Sequence, residues 1–340
     1  MKQKPCYILG IESSCDDTAA SILNHNKVLS NCITNQKIHT EYGGVVPELA
    51  SRAHQSNIVP VVDFALKKAK IQCKDLSAIA FTQGPGLLGS LLVGGSFAKS
   101  MSLGLNIPLI AVHHMQAHLL VHFIKSKEII PPSFPFIGVN ISGGHTQIIL
   151  VNDYFKMKVI GSTIDDAIGE AFDKCGKLIG LKYPAGPEID RLSQNGNSYR
   201  FEFPIPKVNN LNVSYSGVKT AFMNFIIKEK QNNLKFVQEN INDICASIQK
   251  ILIKIIFQKI NLAVKETGIK TVAIGGGVSA NSELRKLLKN QTEINKWNVH
   301  IPPIEYTTDN GAMIGIAGYY KWRENNFTSL STPSQARIDF

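Results

Sequence analysis

The expected fold is decided by YILGIESSCDDTAASIL at residues 7–23 and by FIGVNISGGHTQIILV at residues 136–151. In each stretch a short apolar run, typical of a buried strand, enters a small polar turn and leaves it as a second strand. Three identities occur at one common offset, pairing Gly10 with Gly138, Ser14 with Ser142 and Thr18 with Thr146. Identities within a shared strand–turn–strand layout indicate an internal duplication.

Strands and helices alternate through the rest of the chain. Residues 76–81 predict a strand that enters the Gly-rich turn of residues 83–90, and residues 271–274 predict a strand that enters Gly275-Gly276-Gly277. Turns of this kind present backbone N–H groups to phosphate oxygens. We therefore expect an α/β fold of two related lobes facing a nucleotide cleft. This resembles the actin/hexokinase/Hsp70-like ATPase (ASKHA) superfamily, with a duplicated core.

The expected domains follow from the position of the second hairpin. We expect an N-terminal lobe over residues 1–128, joined by a C-terminal helix at about 309–325, and a C-terminal lobe over residues 129–308. The proline-containing stretch at residues 129–135 is the best candidate linker. The nucleotide and metal site is expected in the cleft between the lobes.

The composition excludes a disordered chain and a membrane span. Hydrophobic residues make up 44% of the 340 residues, which is enough to offset the entropy that keeps a chain unfolded. The longest apolar stretch, residues 251–264, is interrupted by Lys254, Gln258, Lys259 and Asn261. It is therefore shorter than the run of about 20 apolar residues that a bilayer requires.

Charge and cysteine usage say less about function. The net charge is +10, but 30 of the 36 basic residues are lysines in a chain that is also rich in Asn and Ile. A composition habit of the source genome therefore explains this charge as readily as a polyanionic partner does. The six cysteines are scattered without a C-x-x-C pair, and the N-terminus has no secretory pattern. We expect a soluble protein of the reducing cytoplasm.

The clearest candidate site is a pair of histidines. His114 and His118 are spaced i,i+4 on a predicted helix, so both imidazoles can bind one cation. Asp309, in a polar turn before a small-residue helix, is the candidate third ligand. The alternatives are two buried, hydrogen-bonded histidines and an ordinary helix N-cap. The zinc-peptidase pattern H-E-x-x-H has its general base where this chain has Met115, which weakens a metallopeptidase function.

Further motifs offer polar groups to a ligand. The turn at residues 275–281 brings backbone N–H groups and Asn281 to a helix start, although a tight turn without a ligand explains it equally well. Helical spacing predicts that Asp166, Glu170 and Asp173 share one face. A stiff turn at residues 183–190 can bring Gly186 close to a sugar and direct Asp190 at its hydroxyl groups. Residues 214–220 offer hydroxyl groups and one cation in a predicted loop.

Together these segments resemble one family, the tRNA N6-adenosine threonylcarbamoyltransferases (TsaD), once described as O-sialoglycoprotein endopeptidases. The resemblance covers nearly the whole chain in order, through GIESSCDDTAASI, EYGGVVPELASR, TQGPGLLGSLLVG, VHHMQAH, ISGGHTQ, DDAIGEAFDK, YPAGP, SYSGVKTA, GGGVSAN and TDNGAMIG. The chain departs from the family pattern at Gln116-Ala117, Asn140 and Ala185.

The resemblance implies specific roles for residues of this chain. His114, His118 and Asp309 would bind one divalent metal ion per subunit, Fe²⁺ first, with zinc or magnesium as alternatives. The phosphate and acyl region of the substrate would be lined by Asn140, Ile141, Ser142, Gly143 and Gly144. The adenosine portion would be held by Asp173, Gly186, Asp190 and Asn281. No further catalytic side chain is expected.

The implied reaction is a metal-dependent acyl transfer. The family transfers the threonylcarbamoyl group of threonylcarbamoyl-adenylate to N6 of the adenosine 3′ of the anticodon, in tRNAs that read codons beginning with A. The implied partners are tRNA, a paralogue-like subunit (TsaB) and a small ATPase (TsaE), with no membrane. The alternatives are a phosphotransferase or ATPase of the same superfamily and a non-catalytic nucleotide-binding scaffold.

Overall fold

The structure is a computed structural model that describes residues 4–36, 38–127 and 130–340. The chain divides into two compact units. Unit 1 comprises Met1–Pro131 and Pro302–Phe340, and unit 2 comprises Pro132–Ile301. The expected boundary at residues 128 and 129 lies outside the described residues. The expectation of a cleft between two facing lobes stays a prediction.

The described residues form strands and helices that are numbered here in chain order. The strands are β1 (Tyr7–Glu12), β2 (Thr18–Asn24), β3 (Lys27–Thr34), β4 (Ala78–Gly84), β5 (Leu109–His113), β6 (Phe136–Ile141), β7 (Thr146–Val151), β8 (Met157–Ser162), β9 (Thr271–Gly275) and β10 (Asn298–His300). The helices are α1 (His39–Tyr42), α2 (Pro47–Ala69), α3 (Leu88–Leu105), α4 (His114–Leu120), α5 (Ile168–Leu178), α6 (Gly186–Ser193), α7 (Ser216–Asn232), α8 (Phe236–Thr267), α9 (Ser282–Ile294) and α10 (Gly311–Arg323).

The two sheets have the same topology. The strand order is β3-β2-β1-β4-β5 in unit 1 and β8-β7-β6-β9-β10 in unit 2. In each sheet the first three strands of the unit pair antiparallel, whereas the later two add in parallel. Both predicted hairpins form, since Glu12 pairs with Ala19 and Ile141 pairs with Thr146 at their turns. The predicted duplication and the α/β class are therefore confirmed.

Each unit has its own apolar core. In unit 1, β1, β2 and β4 pack against α2 and α3, and Phe81 is fully buried among them. In unit 2, the sheet packs with α5, α7 and the long helix α8, around Tyr215 and Phe222. Strands covered on both faces are almost continuously apolar, as in other buried parallel strands. Among the described residues no helix is long and apolar enough to cross a membrane.

Helix α10 approaches the sheet of unit 1 closely enough to require glycine. A Cβ atom on Gly10 in β1 would lie 2.4 Å from the carbonyl oxygen of Gly311 and 2.4 Å from the backbone nitrogen of Gly315. Gly311 in turn faces the backbone of Ala20 and Ser21 in β2. This backbone-to-backbone packing fixes the start of α10, and with it the turn that carries Asp309.

His54 connects α2 to the first hairpin. Its side chain is fully buried. Nδ1 lies 2.8 Å from Oγ1 of Thr18, and Nε2 lies 2.9 Å from the carbonyl oxygen of Cys15. A carbonyl only accepts, so Nε2 carries the proton and Nδ1 accepts the threonine hydroxyl hydrogen. Burial lowers the pKa of His54, although the hydrogen bond to Cys15 opposes that change. The folded chain therefore holds His54 neutral.

Acid is expected to destabilise unit 1 through His54. Below about pH 6.5 the unfolded chain takes up a proton at His54 that the folded chain does not, so the free energy of unfolding falls as the pH falls. Urea unfolding at about pH 7.5 and about pH 5.5 measures this loss. The loss should be smaller in His54→Gln than in the unmodified protein. Equal losses in both proteins would show that other groups cause the acid sensitivity.

Candidate functional site

The histidine pair and Asp309 converge in unit 1. Strand β5 ends at His113, whose Nδ1 accepts the backbone N–H groups of Met115 and Gln116 and so begins α4. Nε2 of His118 lies 3.2 Å from Nε2 of His114, and both imidazoles are buried. Oδ1 of Asp309 lies 3.5 Å from Nε2 of His114 and 3.3 Å from Nε2 of His118. The N-cap of α10 is Asn310, so capping does not explain Asp309.

These separations fit the ligands of one metal ion. Ligand atoms held about 2.05 Å from a tetrahedral ion lie about 3.3 Å from one another. The three separations of 3.2, 3.3 and 3.5 Å are close to that value. Two imidazoles and one carboxylate are a common donor set for divalent transition metals, and they leave coordination positions for water or substrate. The residues present therefore fit a metal, and no other described His, Cys, Asp or Glu joins the group.

Glu12 supports the first histidine and was not identified from the sequence. Its carboxylate is fully buried at the end of β1. Oε2 lies 3.0 Å from Nδ1 of His114 and accepts the hydroxyl hydrogen of Thr82 at 2.7 Å, and Oε1 accepts the backbone N–H of Ser14. When Nδ1–H of His114 donates to this carboxylate, the lone pair of Nε2 points away from it and is available to a metal. The sequence contained one sign of this role, namely a carboxylate as the last residue of an apolar strand.

The pKa values of the two histidines also shift in opposite directions. Burial by itself lowers the pKa of His114, but Glu12 and Asp309 outweigh it and raise the pKa to about 9. Burial lowers the pKa of His118, and the charge of His114 adds to this while Asp309 opposes it. Because a ligand imidazole must be neutral, metal binding displaces the proton of His114, and metal uptake becomes more favourable as the pH rises.

Glu12→Gln is expected to weaken metal binding by about 10-fold to 100-fold, the usual effect of removing a partner of a ligand histidine. The amide has nearly the same shape, but its charge no longer favours a donating Nδ1–H. Co²⁺ titration of the metal-free protein, followed by absorption, measures the affinity. Glu48→Gln is the control, because Glu48 is 74% exposed in a surface pair with Arg52. An affinity within twofold of the unmodified protein would exclude this role for Glu12.

The second hairpin presents an open glycine turn in unit 2. Gly143 and Gly144 are exposed, and a Cβ atom on either would contact nothing among the described residues within 4 Å. The base of the turn is fixed, since Ser142 and His145 exchange hydrogen bonds at 2.8 and 3.1 Å. Asn140 and Ile141 lie at the end of β6 and are buried. A Cβ atom on Gly276, where φ is 88°, would lie 2.6 Å from the carbonyl oxygen of Ile141.

Helices α5 and α6 connect this turn to the other predicted substrate residues. Gly169 at the start of α5 packs against the backbone of Ser142, and Asp173 follows one helical turn later. Asp173 accepts the backbone N–H of Ala185 at 2.7 Å, and burial raises its pKa although hydrogen bonds from Ala185 and Gly186 oppose this. Gly186 and Asp190 are likewise one turn apart on α6. Three of the predicted substrate residues, Asp173, Gly186 and Asp190, thus lie on two consecutive helices.

Asp190 and Asn281 bind each other and the start of α9. Asn281 caps α9 through Oδ1, which accepts the N–H of Leu284, and its Nδ2 donates to Asp190 at 3.3 Å and to Gln249 at 2.7 Å. Asp190 also accepts the backbone N–H and the hydroxyl of Ser282. The amide of Asn281 is therefore used within the protein, and Oδ2 of Asp190 keeps room for one more donor. Gln249, 32 residues from Asn281, was not identified from the sequence.

The predicted carboxylate face is wrong at Asp166. Helix α5 begins at Ile168, so Asp166 precedes it and does not share a helical face with Glu170 and Asp173. Lys174 contacts both Asp166 and Glu170, and Lys219 also contacts Asp166. The positive charges of these lysines offset the repulsion between the carboxylates. Most of the predicted loop at residues 214–220 is helical, because α7 begins at Ser216. Just before and at this helix start, Asp165 accepts hydrogen bonds from Ser214, Tyr215 and Ser216.

The geometry defines an α/β protein of two related units, one with a His–His–Asp group that could hold a metal ion. The crystal structure of full-length HypF shares this fold at 15% sequence identity and a TM-score of 0.60, over 95% of this chain and 47% of the HypF chain. The present chain thus spans about half the length of HypF.

A family model described as TsaD, tRNA N6-adenosine threonylcarbamoyltransferase, matches residues 27–316. Relatives bearing that name include one from Christiangramia forsetii, 59% identical over the full length of both chains, and one from Riemerella anatipestifer. The Riemerella protein is 55% identical, and the aligned region covers 99% of this chain and 98% of the Riemerella chain. The chain belongs to the TsaD family of transferases, which confirms the resemblance seen in the sequence.

Proposed function

We propose that the chain transfers the threonylcarbamoyl group of threonylcarbamoyl-adenylate to N6 of the adenosine 3′ of the anticodon, in tRNAs that read codons beginning with A. The observation that carries this proposal is the convergence of His114, His118 and Asp309 to within 3.5 Å in a chain of the TsaD family. Neither a phosphotransferase nor a passive scaffold requires such a ligand set.

The reaction needs positioning more than nucleophile activation. The N6 amine attacks the carbamoyl carbon, a C–N bond forms, and the C–O bond to phosphate breaks. AMP leaves with the bonding electron pair, and N6 loses one proton to solvent. Because AMP is a good leaving group, orientation and charge stabilisation account for most of the rate enhancement.

Residues of unit 2 are proposed to hold the adenylate. The backbone N–H groups of the Ser142–Gly144 turn suit phosphate oxygens, because the glycines leave the turn open and no carboxylate lies within it. Oδ2 of Asp190 suits a ribose hydroxyl, and Gly186 allows the sugar to approach, since among the described residues a Cβ atom there would come within 4 Å of Phe172 alone, at 3.9 Å. We assign Asn281 to orienting Asp190. Asn140, Ile141 and Asp173 shape the surrounding backbone.

Residues of unit 1 are proposed to hold the metal. Nε2 of His114, Nε2 of His118 and the carboxylate of Asp309 would bind one Fe²⁺ ion, and Glu12 would keep His114 in the ligating orientation. When bound, a divalent ion supplies Lewis acidity to phosphate or carbonyl oxygens. Two imidazoles and one carboxylate can also bind zinc. Metal analysis of protein purified from its own organism decides between them.

We also propose that the chain acts in the cytoplasm with a paralogue-like subunit (TsaB) and a small ATPase (TsaE). Family membership supports this proposal. Purification of the tagged chain from its own cells, followed by mass spectrometry, should recover both proteins. Their absence from a preparation that modifies tRNA would contradict it.

The test of the main proposal is depletion of the protein followed by nucleoside analysis of bulk tRNA. Threonylcarbamoyladenosine should fall, and re-expression of the unmodified chain should restore it. Normal levels after depletion, with no second copy of the gene, would refute the proposal. Hydrolysis of ATP or phosphorylation of a small substrate by the pure chain alone would instead favour a phosphotransferase.

A further inference from the structure

The segment Phe327–Phe340, called here the C-terminal strap, runs along unit 1 after α10. It lies outside residues 27–316, which match the family model. The strap has little helix or strand of its own. It nevertheless makes many contacts with the rest of unit 1, and its last residues contact the start of the helix that carries His114 and His118.

The strap is held to the sheet and to α3 by hydrogen bonds along its length. Near its start, the N–H of Thr328 donates to the carbonyl of Leu109 in β5 at 2.8 Å. Further along, Nζ of Lys99 donates to the carbonyl of Thr332 at 2.6 Å, and Oγ of Ser334 donates to the carbonyl of Leu91 at 3.2 Å. A surface tail with no role in the fold would not show this regular anchoring.

The middle of the strap closes over the turn that follows β4. The N–H of Gln335 donates to the carbonyl of Gln83 at 2.8 Å, and the N–H of Gly86 donates to the carbonyl of Ala336 at 3.1 Å. The approach is so close that a Cβ atom on Gly84 would lie 1.9 Å from the carbonyl oxygen of Gln335. The same turn contacts the first hairpin, since the N–H of Leu87 donates to the carbonyl of Ser14.

The end of the strap contacts His113, the residue that begins the metal-site helix. Nδ1 of His113 accepts the N–H groups of Met115 and Gln116, so in the neutral ring Nε2 carries the hydrogen. That Nε2 lies 3.4 Å from the carbonyl oxygen of Ile338, which can only accept. The ring of Phe340 packs on the ring of His113 with centroids 4.8 Å apart. The strap therefore favours the tautomer in which His113 caps α4.

We propose that the C-terminal strap is a positioning element of the metal centre. By fixing His113 and the turn at Gln83–Gly86, it sets the start of α4 and so the positions of His114 and His118. The inference rests on the metal site and not on the identity of the transfer reaction. It assigns a role to a segment outside the family-model match, and to His113 as a positioning residue.

The first test shortens the strap and measures binding of Co²⁺ alone to the metal-free protein. Deletion of residues 336–340 removes the contacts of Ala336, Ile338 and Phe340 but keeps the anchors at Thr328, Thr332, Ser334 and Gln335. We expect the dissociation constant for Co²⁺ to rise about 10-fold, as for loss of an orienting partner. An altered Co²⁺ absorption spectrum should accompany this rise. An unchanged constant and spectrum would overturn the proposal, whatever happens to activity.

Two point variants keep the proposal testable if the deletion does not fold. His113→Asn keeps an acceptor for the cap of α4 but loses the ring and its Nε2–H, and Gly84→Ala displaces the strap without touching the metal ligands. Both should weaken Co²⁺ binding and change its spectrum. Gly104→Ala, where a Cβ atom meets nothing described within 4 Å, is the matched control and should bind Co²⁺ normally. Equal Co²⁺ affinities in all three proteins would overturn the proposal. Because the probe is the metal, failure of the transferase proposal would leave these results interpretable.

Discussion

Asp309→Asn is expected to lower metal affinity, and the kcat/KM of threonylcarbamoyl transfer, by at least about 100-fold, the upper end of the effect of losing an outer partner of a metal ligand. The amide has the same size as the carboxylate but no charge, so the two imidazoles lose the anion that completes the ligand set. Only about a fifth of the Asp309 side chain is exposed, at 22%, and water cannot easily replace it.

Metal content by mass spectrometry and initial rates with tRNA and threonylcarbamoyl-adenylate measure the two losses separately. His25→Asn is the control, because His25 lies in the β2–β3 turn with φ at 54°, a conformation that asparagine tolerates. The control should keep its metal and its rate. A variant at Asp309 that loses the metal yet keeps the rate would show that the transfer does not require the metal. Retention of both would remove Asp309 from the site.

Gly10→Ala is expected to destabilise unit 1 strongly, because the added methyl group meets backbone on two sides. The new Cβ atom would lie 2.4 Å from backbone atoms of both Gly311 and Gly315, and backbone cannot rotate away as a side chain can. Overpacking of this kind costs about 1–3 kcal/mol and occasionally more. We expect the upper end, or about 6–12 °C in the midpoint of thermal unfolding. Displacement of α10 should also move Asp309 and weaken metal binding.

Thermal unfolding of the metal-free protein and Co²⁺ titration test these two effects. Gly44→Ala is the matched control, because a Cβ atom there would contact no described atom within 4 Å, and its unfolding midpoint should stay within about 2 °C of the unmodified protein. If Gly10→Ala unfolds at the same temperature as the control, α10 does not pack on β1 as described.

The sequence predicted the features that depend on neighbours along the chain. Alternating apolar runs around small turns predicted both hairpins, and i,i+4 spacing predicted that His114 and His118 share a helical face. Glu12 was missed because its contact with His114 depends on how β1, β4 and β5 pair in parallel, which apolar strands do not reveal. Likewise, Asn281 is occupied by Gln249 on α8, a partner that no local pattern indicates. Asp166 was misplaced because the start of α5 was uncertain by a few residues.

The order in which the segments of the two units follow one another along the chain has a consequence for biosynthesis. Unit 2 is one continuous segment, Pro132–Ile301, whereas unit 1 needs Pro302–Phe340 to be complete. Domains tend to fold as they leave the ribosome. The later unit can therefore be finished while the earlier one still lacks α10. Asp309, the candidate third ligand, is synthesised after both histidines and after all of unit 2. A ribosome stalled before that residue should hold a nascent chain that carries both histidines but lacks the third candidate ligand, and that therefore binds the metal weakly.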